Sequence, residues 1–192
     1  GSLTAVVTTN SLSSGNAVQV ATVTPTITAN TTALPVGTTT LTIAGFGFDT
    51  TLTNNSVTFN NGAVGIITAS TATSLSITFA ALPNIAGPLN AVVTTRGFSS
   101  TSVQVAAATP VVDLATTSLS ATAATVTFSG SNFDPTAANN TVVLSNGATG
   151  NVTSATKTSL TVTFTKKPTT AGPLTAIVTT NAMSSGTAVQ IA

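Results

Sequence analysis

Apolar and polar residues alternate in short segments along the chain, and this alternation is its main structural signal. A period of two places successive side chains on opposite faces of an extended strand, so one face of each segment is expected to be buried. Thr fills many outward positions, where its branched Cβ suits the extended backbone. The clearest segments are 41–43, 57–59, 75–79, 126–128 and 160–164.

The pattern itself recurs with a period of 85 to 86 residues, which is typical of a tandem array of domains. The segment 1–21 returns at 87–106 and again at 172–192. We therefore predict complete units at 22–106 and 107–192, preceded by a terminal hairpin at residues 1–21. Other positions also recur 85 residues apart: Pro25, Gly45, Phe48, Asp49, Leu75 and Phe79 as Pro110, Gly130, Phe133, Asp134, Leu160 and Phe164.

Two Asn-Gly pairs, Asn61-Gly62 and Asn146-Gly147, stand between strand-like segments. Asn-Gly supports the positive φ angles of a tight turn. Each unit then holds about seven short strands in about 85 residues, with the repeated Phe and Leu residues as its core. This predicts an all-β fold of tandem immunoglobulin-like antiparallel β-sandwich domains with an extra N-terminal hairpin.

The first unit resembles the IPT/TIG immunoglobulin-like domain family. The resemblance is carried by Pro25, by Val36-Gly37 before a short apolar strand, by the Gly-x-x-Phe motif at 45–48 and by Val57-Thr-Phe59. The second unit repeats the pattern in Pro110, Val126-Thr-Phe128 and Gly130-Ser-Asn-Phe133. The resemblance implies the sandwich fold far more than a function, since members serve in bacterial surface proteins, carbohydrate enzymes, receptors and transcription factors.

The composition excludes several classes of function. The chain has no Cys, His, Trp or Tyr, three acidic residues and four basic ones, with a net charge of +1. Because acid–base and nucleophilic catalysis need convergent groups of these types, we expect no enzyme. So few cations cannot neutralise a run of phosphates, which excludes nucleic acid as a partner. The charged residues are Asp49, Asp113, Asp134, Arg96, Lys157, Lys166 and Lys167.

The surface chemistry favours self-association. Only 4% of the residues are charged, whereas 42% are hydrophobic, so little charge repulsion opposes contact between copies. The sequence contains no apolar run of eighteen residues, so we expect no transmembrane segment. The three lysines, Lys157, Lys166 and Lys167, are interpreted as solubilising surface charges. An extracellular or cell-surface location is the expectation that fits this composition.

Two kinds of candidate site occur in the loops. Asp49 and Asp134 lie near paired asparagines and offer oxygen ligands for Ca²⁺, although a turn-capping role is the preferred interpretation and no other cofactor is expected. Sugar binding is possible in principle, but without Trp or Tyr it has only Phe46 and Phe98 as potential platforms. Asn-x-Ser/Thr glycosylation patterns begin at Asn30, Asn54, Asn139 and Asn151.

The N-terminal hairpin, residues 1–21, matches the last hairpin of a unit whose other strands are missing. If the units instead run as 1–86 and 87–171, the hairpin left over is 172–192. An isolated two-stranded hairpin is marginal in water. It is explained by a longer array from which this chain is a segment, by strand complementation with the next subunit, or by disorder. The candidate self-assembly residues are Leu3, Ala5, Val7, Val18 and Val20.

The sequence therefore favours an extracellular structural protein that self-associates into a surface layer, stalk or filament, with head-to-tail strand complementation as one route to assembly. The alternative is a rod-like spacer or binding module of an adhesin or polysaccharide-binding protein. The junctions at 18–27 and 103–112 contain β-branched residues and Pro but no Gly, which favours stiff connections over coil.

Overall fold

The computed structural model describes residues 1–34 and 37–192, so Val36 of the IPT/TIG-like stretch lies outside the described residues. The described chain is built from β-strands and two 3₁₀ turns, Leu52–Asn54 and Ala137–Asn139, which confirms the predicted all-β fold. No helix in these residues is long and apolar enough to cross a membrane.

The N-terminal hairpin contains four short strands. The first repeat, residues 22–106, contains nine strands, the last of which extends to Ala108. The hairpin strands are β1 (Ser2–Ala5), β2 (Thr8–Thr9), β3 (Leu12–Ser13) and β4 (Val18–Thr22). The strands that follow are β5 (Thr26–Ile27), β6 (Ala33–Leu34), β7 (Thr40–Phe46), β8 (Asn55–Phe59), β9 (Val64–Ser70), β10 (Ser74–Ala81), β11 (Gly87–Thr95), β12 (Phe98–Ser99) and β13 (Val103–Ala108).

The second repeat, residues 107–192, follows the same order. Its strands are β14 (Val111–Val112), β15 (Thr125–Ser131), β16 (Asn140–Leu144), β17 (Thr149–Ala155), β18 (Ser159–Lys166), β19 (Thr175–Thr180), β20 (Met183–Ser184) and β21 (Val189–Gln190). Most predicted strand segments fall inside these elements, because alternation with one buried face is what a sandwich strand requires.

Each repeat is a sandwich of two sheets. In the first repeat one sheet has the order β5-β7-β10-β9, and the facing sheet has β11 at its centre, between β8 and β13. Strand β6 pairs in parallel with β13. The second repeat pairs β14-β15-β18-β17 on one side and β16-β19-β21 on the other. These are the strand pairings of an immunoglobulin-like sandwich.

Two hydrophobic cores fill the two sandwiches. The first contains Leu75 and Ile77 at its centre, and the second contains Leu160, Val162 and Phe133 in equivalent roles. Phe48 and Phe79 are buried as predicted, and Phe164 is half-buried against the second core. The domain bounds at residues 106 and 107 remain a prediction, since β13 continues to Ala108.

The Gly-x-x-Phe motif has a packing reason. Phe133 folds back so that its ring lies against the backbone of Gly130, and it meets Phe128 edge-on with the ring centroids 6.4 Å apart. The carbonyl oxygen of Val111 in β14 also approaches Gly130, so no side chain fits there. Gly45 and Phe48 repeat this arrangement in the first repeat.

Both Asn-Gly pairs form the predicted turns. The φ angles are +52° at Asn61 and +72° at Gly62, and +55° at Asn146 and +68° at Gly147. Asn and Gly adopt a positive φ at lower cost than other residues, which is why they occur in these turns. Each turn carries the chain from one sheet of its sandwich to the other, from β8 to β9 and from β16 to β17.

Candidate self-association site

The N-terminal hairpin has the same strand register as the middle hairpin, residues 87–106. Leu3 pairs with Ala21 as Leu89 pairs with Ala106, and both hairpins shift register at the next residue. The tip is also repeated, because the amide of Val7 donates to Ser14 Oγ over 3.0 Å. The equivalent bonds from Val93 to Ser100 and from Val178 to Ser185 have the same length. The local sequence therefore forms this hairpin wherever it occurs.

The burial of the two hairpins differs completely. In the first repeat, Leu89 and Val93 are 0% exposed and Val105 is 1% exposed, because they face the opposite sheet. The equivalent Leu3 is 52% exposed, and Val20 is 60% exposed. The face of the N-terminal hairpin that corresponds to the buried face of the middle hairpin is therefore exposed. Of the five candidate self-assembly residues, Leu3, Val7, Val18 and Val20 are exposed and Ala5 is half-buried.

One edge of the N-terminal hairpin is also unpaired. The middle strand β11 has β13 on one side and β8 on the other, and β19 likewise pairs with β16. Within the described residues β1 pairs with β4 alone. Unpaired backbone N–H and C=O groups on such an edge are a template for another strand. The later hairpins therefore pair with strands that precede them in the chain. The division into units that leaves residues 1–21 as the extra hairpin stays a prediction.

The two repeats contact each other directly through hydrogen bonds at their junction. The amide of Ala86 donates to the carbonyl oxygen of Asn132 over 2.8 Å, and Asn181 Nδ2 donates to the carbonyl oxygen of Ala86 over 3.0 Å. Lys157 Nζ donates to Asn84 Oδ1 over 2.9 Å. Lys157 therefore makes a specific contact between repeats, in addition to the solubilising role expected from the sequence.

Sequence reasoning missed these junction residues. Asn132, Lys157 and Asn181 have no counterpart of the same type in the first repeat, where Gly47, Ala72 and Arg96 stand. The sequence signal for these residues was that their positions differ between the two repeats. That signal could not be recognised as a contact, because surface positions vary between repeats for many reasons whereas core positions recur.

Asp49 and Asp134 cap the turns that follow the repeated Phe residues. Asp49 Oδ1 accepts from the amide of Thr51 over 2.8 Å, and Asp134 Oδ1 accepts from Thr136 at the same distance. Asp49 also forms an ion pair with Arg96, which lies 47 residues further along the chain. The described residues hold no cluster of three or more His, Cys, Asp or Glu side chains. Calcium binding stays a prediction that awaits a direct test.

The neighbouring asparagines are fixed by the protein itself. Asn140 Oδ1 accepts from the amide of Asp134 and from Thr180 Oγ1, and its Nδ2 donates to the carbonyl oxygens of Asp134 and Thr136. Asn55 makes the same four contacts in the first repeat. These buried amides hold the loop on the opposite sheet. Among the glycosylation candidates, Asn30, Asn139 and Asn151 are exposed, whereas Asn54 is half-buried.

Hydrogen bonds set the charge of both aspartates. The bond from Arg96, followed by that from Thr51, lowers the pKa of Asp49 from 3.8 to about 2. For Asp134, burial is the largest effect and raises the pKa, but hydrogen bonds from Thr136 and two Asn side chains outweigh it, so its pKa is lowered. Both carboxylates are therefore charged at every pH above about 4.

We expect Asp49→Asn to lower the melting temperature by less than about 5 °C, because Arg96 is 65% exposed and solvent weakens the pair. The folded-state pKa of Asp49 lies below its unfolded value, so the stabilisation is present above about pH 4 and is lost as the pH falls toward 2. Thermal unfolding of both proteins from pH 7 to pH 2 should show the difference closing in that window. Asp113→Asn, at an exposed position, is the control. A difference that stayed constant to pH 2 would contradict the assignment.

The fold defines an immunoglobulin-like antiparallel sandwich, a non-catalytic kind of fold. The sequence profile of the IPT/TIG domain family matches residues 25–107, which confirms the resemblance for this part of the chain. No curated protein matches the sequence. One similar solved structure is that of domains 4–9 of the surface layer protein SbsC, with 13% identity and a TM-score of 0.29. The similarity covers 94% of this chain and 33% of that one, so the chain spans about a third of that length.

Proposed function

We propose that this chain is a structural module of an extracellular or cell-surface assembly, and that its copies associate through the N-terminal hairpin into a layer, stalk or filament. The observation that carries the proposal is the exposure of Leu3, Val7 and Val20, whose equivalents are among the most buried residues of the first repeat. An exposed apolar face beside an unpaired strand edge favours strand addition by another chain.

The surface of the repeats supports the same role. Thr side chains bond to each other across neighbouring strands, as Thr127 does with Thr161 over 2.9 Å and Thr153 with Thr163 over 3.0 Å. Such a neutral surface allows close approach of copies without matched charges. The alternative function, a stiff spacer in a cell-surface adhesin, is favoured by the hydrogen-bonded junction at Ala86 and Asn84.

The test is electron microscopy and light scattering of the intact chain beside a Leu3→Ser/Val20→Ser variant and a variant lacking residues 1–21. We expect filaments or layers from the intact chain alone, because serine removes the apolar contact while the exposed positions cost the fold little.

The matched control is Leu12→Ser/Val64→Ser, which removes two equally exposed apolar side chains outside the hairpin's core face. This variant should assemble like the intact chain. Assembly should also persist from low salt to about 0.5 M NaCl, since screening affects only charged contacts. Monomers from every variant, the intact chain included, would favour the spacer function instead.

A further inference from the structure

We call the base of a repeat the end that carries residues 82–87 or residues 167–172. The base of the second repeat is exposed, whereas that of the first repeat is covered at the junction between the repeats. At the junction, Pro83, Ala86 and Gly87 are buried beneath the second repeat. Their equivalents in the second repeat, residues 168, 171 and 172, are half-buried or exposed. The same surface is therefore present in both repeats and is covered only in the first, at the junction.

A cleft of about 440 Å³ opens at this uncovered base. Leu119, Pro168 and Thr169 line it. Their equivalents Leu34, Pro83 and Asn84 line the smaller cleft at the junction, where Ser131 and Lys157 of the second repeat form the other wall. The two clefts thus share their base residues. We call the top of a repeat the end that carries residues 46–47 and 72, or residues 131–132 and 157. At the junction the top of the second repeat faces the base cleft, which indicates that the top of a repeat is what covers such a base.

The top of the first repeat carries the residues that suit the larger cleft. Phe46 is 66% exposed, and it stands at the position of Ser131. Ala72 is exposed at the position of Lys157. The partner position changes with it, because Asn84 at the junction becomes Thr169 at the base of the second repeat. A hydrogen-bonded Lys–Asn contact is thus replaced by an Ala–Thr pair that needs no charge.

Resting on the proposed self-association, we propose that the top of the first repeat in one copy docks on the base of the second repeat in another copy, with Phe46 in the cleft. A buried aromatic anchor surrounded by neutral contacts is typical of an interface hot spot. Because the surfaces at the two ends differ, the contact is heterologous and head-to-tail. Such contacts form open filaments when rotation does not close a ring.

Docking in the junction geometry also decides where the N-terminal hairpin goes. At the junction, β13 leaves the middle hairpin and leads directly into β14 of the docked repeat. In an incoming copy, β4 leads in the same way into β5. Its residues 1–21 then fall where residues 172–192 of the receiving copy lie. Docking in this geometry therefore requires the incoming hairpin to replace residues 172–192, which leave the receiving sandwich and become its unpaired hairpin. We call this replacement the hairpin exchange, and the shared register of the hairpins makes it possible.

The first test uses the absence of Cys from the sequence. Ala72→Cys/Thr169→Cys places thiols at the equivalents of Lys157 and Asn84, whose side-chain atoms lie 2.9 Å apart at the junction. A flexible bifunctional thiol crosslinker is used, because Lys157 makes this contact from the end of its long side chain and a disulfide needs the Cβ atoms about 4 Å apart. It should give a ladder of crosslinked oligomers. Asn84→Cys/Lys157→Cys should close within one chain and give no ladder, and Ala72→Cys/Thr127→Cys, with the second thiol on an outer sheet face, should give neither product.

The Phe46 anchor and the hairpin exchange are tested by separate measurements. Phe46→Ser should weaken association by about tenfold or more in sedimentation equilibrium, whereas Val64→Ser, at an equally accessible site, should not. In Val6→Cys/Val143→Cys, a short thiol crosslinker should join copies, because Val143 pairs with Ile177, the equivalent of Val6. Val143→Cys/Ile177→Cys is the control that links within a chain.

The outcomes separate the two proposals. Filaments that form without the 72–169 ladder and with Phe46→Ser unaffected would overturn the docking surface while leaving self-association intact. A 72–169 ladder without the 6–143 crosslink would overturn the hairpin exchange. If the intact chain stays monomeric at high concentration, the proposed function itself fails.

Discussion

Gly130→Ala is expected to destabilise the second repeat by about 3 kcal/mol or more. The added Cβ would lie within 3.0 Å of the carbonyl oxygen of Val111 and of the ring of Phe133. Neither neighbour can yield cheaply, because one is strand backbone and the other is a ring that is 0% exposed. Forcing either apart combines the cost of overpacking with that of exposing core.

Urea unfolding followed by far-UV circular dichroism is the suitable measurement, since the chain has no Trp or Tyr to report by fluorescence. Ser129→Ala in the same strand is the control, because Ser129 is exposed and its change should stay within about 0.5 kcal/mol. Equal midpoints for Gly130→Ala and Ser129→Ala would show that the Gly-x-x-Phe motif has another cause.

Asn140→Ala is expected to cost about 3 kcal/mol by the same measurement. The substitution removes an amide that is 4% exposed and makes four hydrogen bonds, and it leaves the hydroxyl of Thr180 buried without its acceptor. Buried groups that lose their partners carry the full cost of desolvation. Because the amide ties Asp134 and Thr136 to the opposite sheet, the loop should also become more accessible to proteases.

Asn139→Ala is the matched control, since Asn139 precedes Asn140, is exposed and makes one side-chain bond, to Asp134. Its effect should stay below about 1 kcal/mol. Asn140→Asp should cost at least as much as Asn140→Ala, because it places a carboxylate oxygen against the carbonyl oxygens of Asp134 and Thr136 in a buried site. A loss from Asn139→Ala as large as that from Asn140→Ala would contradict the assigned role of the buried amide.

The strands, the Asn-Gly turns and the repeated core could be predicted because each depends on local sequence. Alternation over three to five residues defines a buried face, and Asn61 and Asn146 tolerate the positive φ that their turns need. The all-β sandwich follows from these features together. The family resemblance of the first repeat rests on the same positions, which is why it was visible in the sequence.

The candidate site was predicted only in outline. The repetition in the sequence showed that one hairpin lacks a partner. The exposure of Leu3 and Val20, however, depends on which sandwich each hairpin pairs with. That choice is a pairing between distant strands. The sequence places Asn55 and Asn140 beside the two aspartates but does not show that they are buried, because buried and exposed asparagines look alike in sequence. Their role depends on Thr95 and Thr180, each 40 residues away.

The parallel pairing of β6 with β13 has a mechanical consequence. The chain enters the first repeat through β5 and β6 and leaves it through β13, so tension applied along the array pulls β6 and β13 in opposite directions. Between residues 30–34 and 103–108 run the bonds from the amide of Asn30 to the carbonyl oxygen of Gln104 and from the amide of Ala107 to that of Thr32. Bonds arranged across the direction of pull are sheared together rather than opened one at a time, so the first repeat should resist stretching even though the sequence has no Cys for a disulfide.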